Sequence, residues 1–152
     1  MSQNVDPPRD EDLAGQLLRS KELVEVALLD YKRTLKAAHR QMTQVQMAKV
    51  LRLSQPAVAK ALQRAAKVPD AVQGFGAASP HELCQRFAAG LIGREEVICE
   101  LVAWPYRSAP KFNEFGELES DIAGTFIDVD NAVSFGLIDE SIYEDVLKRL
   151  TA

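Results

Sequence analysis

Between Glu11 and about Arg40 apolar residues recur at three-four spacing, at Ala14, Leu17, Val24, Leu28, Tyr31, Leu35 and Ala38, with one interruption at Lys21. That period predicts a single long helix. Leu13, Leu18, Ala27 and Leu29 widen the stripe, and Gly15 is the one helix-weakening residue in it. A helix of about thirty residues is roughly 45 Å long, longer than a small domain can cover. Its second half is expected to pack on the helices that follow. Its first half is expected to join a dimer interface or to pack on the C-terminal region, unless the helix breaks between Arg19 and Lys21 and folds into a single core.

Two shorter periodic segments lie in Gln44–Gln63, QVQMAKVLRLSQPAVAKALQ. Thr43 and Gln46 have the spacing of a capping box, in which each side chain satisfies a backbone donor at a helix start. Met47, Ala48 and Leu51 then mark one buried face. The period breaks at Arg52-Leu53-Ser54. Ser54 is suited to cap a second helix, and Pro56 is tolerated in its first turn, where the missing donor has no intrahelical partner. Val58, Ala61 and Leu62 form the inner face of that helix.

After Lys67 the pattern gives way to VPDAVQGFGAASP, a segment punctuated by Pro69, Gly74, Gly76 and Pro80 and read as a linker. Ser79-Pro80-His81-Glu82 is a second capping-box pattern and predicts a helix from Pro80 to Ala89. Gly90-Leu91-Ile92 follows it, then a helix from about Arg94 to Trp104. The same trio recurs as Gly136-Leu137-Ile138, between a helix from Phe126 to about Ser134, opened by Thr125 and Asp128, and a helix capped by Asp139 that runs to about Leu150. In each copy Gly supplies a left-handed stop and the next two residues are expected to tuck under both helices. The stretch between the copies is rich in aromatics. Trp104, Tyr106, Phe112 and Phe115 are candidates for a partner-docking loop or for core anchors.

The expected fold is therefore all-α. Residues 1–10 form a tail, 11–68 a helical domain with a long first helix, 69–79 a linker, and 80–152 a C-terminal domain of two helical hairpins.

The pair of helices around Arg52 resembles the helix-turn-helix of phage Cro and repressor proteins and of the wider Xre regulator family. The resemblance is carried by Gln44, Ala48, Leu51, Gln55, Ala57, Val58, Lys60 and Ala61, and covers roughly a third of the chain. Arg52 departs from it, because the family usually has Gly in the turn, where a left-handed backbone is cheapest for Gly. The resemblance implies a second helix seated in the DNA major groove. Ser54 and Gln55 would then reach base edges or the nearest phosphates, Gln55 being able to pair bidentately with adenine. Ala57 and Ala59 would touch thymine methyls, and Lys60 a base edge or phosphate. Arg40, Lys49, Arg52 and Arg64 would contact the DNA backbone, with Thr43 and Gln44 completing the expected set.

Charge changes the picture in the same direction. The whole chain has 18 basic and 22 acidic residues, net −4. The window from Tyr31 to Pro69 nevertheless holds nine basic residues and no Asp or Glu, so it carries +9 and leaves −13 to the rest. Such a window is the electrostatic footprint of a DNA-facing surface.

Other chemistry is sparse. His39 and His81 are the only histidines and have no triad or metal-ligand neighbours in sequence. His39 is expected to be solvated or close to phosphate, and His81 to lie at the surface. Cys84 and Cys99 lack a CxxC or Cys/His companion set and are expected to be reduced core thiols. No Gly-rich phosphate loop is present. The polar N-terminus does not read as a signal peptide, and no apolar run reaches membrane-spanning length. The expectation is a cytoplasmic, non-enzymatic regulator without metal or cofactor, a homodimer on double-stranded DNA that acts as a repressor. The alternative is an antitoxin or adaptor whose acidic C-terminal region binds a protein partner.

Overall fold

A computed structural model describes residues 10–152; of the expected tail, residues 1–9 lie outside them, and Asp10 belongs to the first helix rather than to a tail. Seven helices account for the regular structure among the described residues: α1 (Asp10–His39), α2 (Gln44–Leu51), α3 (Gln55–Ala65), α4 (Pro80–Ala88), α5 (Arg94–Ala103), α6 (Ile127–Ser134) and α7 (Glu140–Leu150). None of them is long and apolar enough to cross a membrane.

Two apolar clusters divide the side chains. Leu35, Met47, Val58 and Ala65 are buried together, with Ala38, Met42, Ala48, Leu51, Ala61 and Leu62 packed around them, so α1, α2 and α3 share one core. The larger cluster centres on Leu83, Ile98, Leu101, Val129, Ile142 and Val146 from α4 to α7. There α4 packs on α5 and α6, and α7 on α5 and α6.

The first helix is continuous, without a break between Arg19 and Lys21. It runs from one cluster to the other, packing on α3 and on α4. The face it buries differs from the expected stripe. Leu35 is buried and Ala38 half-buried, but Leu17 is 74% exposed and Val24 68%, and Leu28 and Tyr31 are open as well. Val26 and Glu22 are buried instead. The reason is polar: the side of α1 that meets α4 is held by ion pairs and hydrogen bonds, which an apolar periodicity does not register. Gln85 Nε2 donates to Glu22 at 3.0 Å and to Glu25 at 2.7 Å. Arg33 and Arg86 converge on Glu82, and Arg86 also grips Asp30.

The repeated Gly-Leu-Ile trios close α4 and α6 in the same way. Gly90 (φ 79°) and Gly136 (φ 74°) are left-handed. The amide after each reaches back across the last turn, Leu91 to Arg86 and Leu137 to Ala132, both at 2.9 Å. Leu137 and Ile138 are buried as expected, whereas Leu91 is half exposed and Ile92 only partly covered. The capping boxes of α4 and α6 are also incomplete. Ser79 Oγ accepts from the Glu82 amide, but the Glu82 carboxylate turns to Ala78 N and the two arginines. At α6, Thr125 donates to the Ile122 carbonyl and Asp128 accepts from Gly124 N, so the helix begins at Ile127.

Candidate nucleic-acid interface

The surface of interest is built on two capped helix starts. Thr43 Oγ1 accepts from Gln46 N at 3.2 Å, and Gln46 Oε1 accepts from Thr43 N at 2.9 Å, completing the capping box of α2. Ser54 Oγ accepts from Ala57 N at 3.2 Å and opens α3, with Pro56 in the first turn. Between them Arg52 adopts φ 55° and ψ 43°, the one non-glycine residue with positive φ among the described residues. The turn therefore has the left-handed geometry that usually calls for Gly, at a cost of about 1 kcal/mol for an L side chain.

The caps and the buried Met47 and Val58 fix which side of each helix faces out. Arg40, Thr43, Lys49, Arg52, Ser54, Gln55, Lys60 and Arg64 are exposed, while Gln44, Ala57 and Ala59 are half-buried. On α3 and just beyond it, Lys60, Gln63, Arg64 and Lys67 line one shared concavity. Gln63 and Lys67 were not among the expected contacts. The signal for them was available in the same three-four spacing, since they follow Lys60 and Arg64 along the outer face.

Electrostatics separates the nine basic residues of the window into two groups. Arg33 and Lys36 face the joint between the halves: Arg33 pairs with Glu82 and donates to the Pro69 carbonyl, and Lys36 binds Asp70 and the Val68 carbonyl. Lys32, Arg40, Lys49, Arg52, Lys60, Arg64 and Lys67 make no ion pair with any described residue, the pairs present involving only Lys21, Arg33, Lys36, Arg86, Arg94 and Arg149 among the cations. A cation without an internal partner keeps its full charge for an external one.

The four aromatic candidates part company. Trp104 is buried and packs on Phe75 at 4.6 Å between ring centroids, and Tyr106 is half-buried, its hydroxyl donating to the Leu101 carbonyl and its ring edge-on to Phe126. Both are core anchors, and a docking role is withdrawn for them. Phe112 and Phe115, 69% and 78% exposed, sit in a small hairpin pinned by Asn113. Cys84 is buried, and desolvation, with Asp128 nearby, pushes its thiol up to about 12. Cys99 is not a core thiol: it is exposed, beside Glu95 and Arg149. His39 is exposed, and His81 is half-buried edge-on to Phe135. A cleft of about 540 Å³ opens where α1 meets α4, lined among others by Arg33, His81, Glu82, Trp104 and Arg107. Its charged groups are largely engaged with one another or with backbone carbonyls.

Comparison with protein-family models, with curated proteins and with solved structures returns no match for this chain.

Proposed function

We propose that the chain is a sequence-specific DNA-binding transcriptional regulator acting as a repressor, with α2 and α3 forming a helix-turn-helix of the Cro/Xre kind. The observation that carries this reading is the outer face of α3. Its start is capped by Ser54, its turn takes the required left-handed form at Arg52, and its exposed ridge presents Gln55, Lys60, Gln63, Arg64 and Lys67 without a carboxylate in the window. Helix α3 enters the major groove, Gln55 reads a base edge, and Lys60 and Arg64 hold base edges or phosphates. Arg40, Lys49 and Arg52 neutralise backbone phosphates. The half-buried Ala57 and Ala59 offer methyl contacts of smaller area than fully open residues would.

Fluorescence anisotropy with duplexes from the chain's own upstream region and with scrambled duplexes, each at two salt concentrations, tests the reading. A preference that survives the higher salt supports base readout. Equal binding to all duplexes that collapses as salt rises contradicts it.

One observation favours a second reading, an antitoxin or adaptor. Phe112 and Phe115 project from the C-terminal half with no core role, as a protein-docking pair would. A stoichiometric protein captured by the full chain and lost in a Phe112→Ala/Phe115→Ala variant supports that reading; capture unchanged in the variant excludes this surface.

A further inference from the structure

The open face of α1 is unusual in its order. Ala14, Leu17, Lys21, Val24, Leu28 and Tyr31 repeat at alternating three- and four-residue steps, the a and d positions of a coiled-coil seam. All six are exposed. They lie on the side of the helix away from Glu22, Val26 and Arg33, which face the rest of the fold. The seam continues into Leu35 and Ala38, but there α2 and α3 already cover it.

We propose that this face pairs with α1 of a second copy of the chain, antiparallel, about a two-fold axis between Glu22 and Leu23. The seven-residue repeat calls for a helix with the same repeat. Residues 1–9, MSQNVDPPR, carry no such repeat, Val5 being their only β-branched or aliphatic residue apart from Met1. The buried apolar faces of α2 to α7 are committed to the two cores, and none of those helices, the longest having 11 residues, can carry a repeat of this length.

Direction follows from what blocks the seam. A parallel partner would run over Leu35 and Ala38, where α2 and α3 sit, and would stack Lys21 on Lys21. An antiparallel partner ends where the cover begins. Its layers are complementary in size: Ala14 opposite Tyr31, Leu17 opposite Leu28, and Lys21 opposite Val24, each occurring twice by symmetry. The Lys21 ammonium keeps its own carboxylates, Glu22 at 3.1 Å and Glu25 at 3.3 Å, so its burial against Val24 leaves no charge unpaired. The same register brings Leu13 of the second copy level with Lys32, next to Tyr31 at the edge of an apolar groove of about 130 Å³ lined by Tyr31, Leu35, Met42, Met47 and Val50. That contact lengthens a seam which would be short by itself.

The pairing stands on the α1 face alone. If the DNA reading also holds, the two α2-α3 units, which meet α1 around Leu35 and Ala38, lie about 40 Å apart along its axis at 1.5 Å per residue. Adjacent half-sites on one face of DNA are about 34–36 Å apart.

The test is sedimentation of the full chain at micromolar concentration, followed by cross-linking in a Cys99→Ser background with a short bis-maleimide. The wild type is expected at twice the monomer mass, and Leu17→Glu/Val24→Glu at half of that with an unchanged circular-dichroism spectrum. Leu17→Cys/Leu28→Cys should link efficiently between copies, and Leu17→Cys alone should not. A monomeric wild type overturns the proposal, as does a dimer that survives the double Glu variant. Efficient linking of Leu17→Cys alone overturns the antiparallel register. None of these outcomes depends on whether DNA is bound.

Discussion

Arg33 of α1 and Glu82 of α4, 49 residues apart in the chain, meet in a two-pronged ion pair with N to O distances of 2.6 and 3.0 Å. Both side chains are largely shielded from solvent, at 15% and 4% exposure. The pair joins the basic segment to the acidic one. Arg86 adds a second guanidinium to Glu82 at 3.0 Å and carries the network on to Asp30. Every oxygen of this cluster is engaged, and no buried side-chain nitrogen or oxygen among the described residues lacks a partner.

Removing the carboxylate would leave two guanidinium groups facing each other in a partly buried site. Glu82→Ala is therefore expected to destabilise the fold by about 2–3 kcal/mol, near the lower end for breaking a buried pair because Arg86 retains Asp30. Urea denaturation followed by circular dichroism measures this. A loss within experimental error would show that the junction does not depend on the pair.

The same cluster makes stability depend on pH. Burial alone pushes the Glu82 carboxyl up, but Arg33, the Ala78 amide and Arg86 outweigh it and hold the carboxyl below its usual value. The folded value thus lies below the unfolded one. The stabilisation is fully present above the unfolded value of about 4.3 and is lost as pH falls through the folded value. Melting temperature should fall more steeply for the wild type than for Glu82→Gln as pH drops from about 5 to about 3. Parallel curves would refute the assignment.

Arg52 offers a way to separate stability from binding. Gly in its left-handed turn removes roughly 1–2 kcal/mol of strain and returns roughly 0.5–1 kcal/mol through greater unfolded-state freedom. Arg52→Gly should gain about 0.5 kcal/mol of stability while losing one phosphate contact and flattening the salt dependence of DNA affinity by about one unit. A variant that is both more stable and unchanged in salt slope would remove Arg52 from the interface.

The two thiols should differ sharply in reactivity. Cys84 is buried with its thiol pushed up to about 12, so almost no thiolate forms at neutral pH, whereas Cys99 is exposed. Iodoacetamide on the native chain should label Cys99 alone, and both residues after denaturation, as read by mass spectrometry. Native labelling of Cys84 would mean that the α4–α7 core opens readily.

The helix starts were legible because each depends on a few adjacent residues: Thr43 with Gln46, Ser54 with Pro56, Asp139 before Glu140. The glycine stops at Gly90 and Gly136 were legible for the same reason. The inner faces of α2 and α3 followed from apolar spacing. The orientation of α1 did not, because two sides of that helix are candidates for burial. The side that packs on α4 reads as polar, with Glu22, Glu25, Asp30 and Arg33 matched by Gln85, Glu82 and Arg86 across more than fifty residues of chain in most cases. The aromatic loop was ambiguous for a related reason. Trp104 and Phe112 both belong to that stretch, and only the fold shows that Trp104 joins the α4–α7 core, packed on Phe75, while Phe112 stays exposed. The outer ridge of α3 was only partly read: Gln63 and Lys67 follow Lys60 and Arg64 at helical spacing, but neither is among the residues that carry the resemblance.

The most direct test of the DNA reading is an amide-resolved NMR titration of the labelled full chain with its preferred duplex. Shift changes are expected to concentrate between Arg40 and Lys67, strongest from Ser54 to Arg64, with α5, α6 and α7 undisturbed. Changes centred on α4 to α7, or none at saturating duplex, would contradict it.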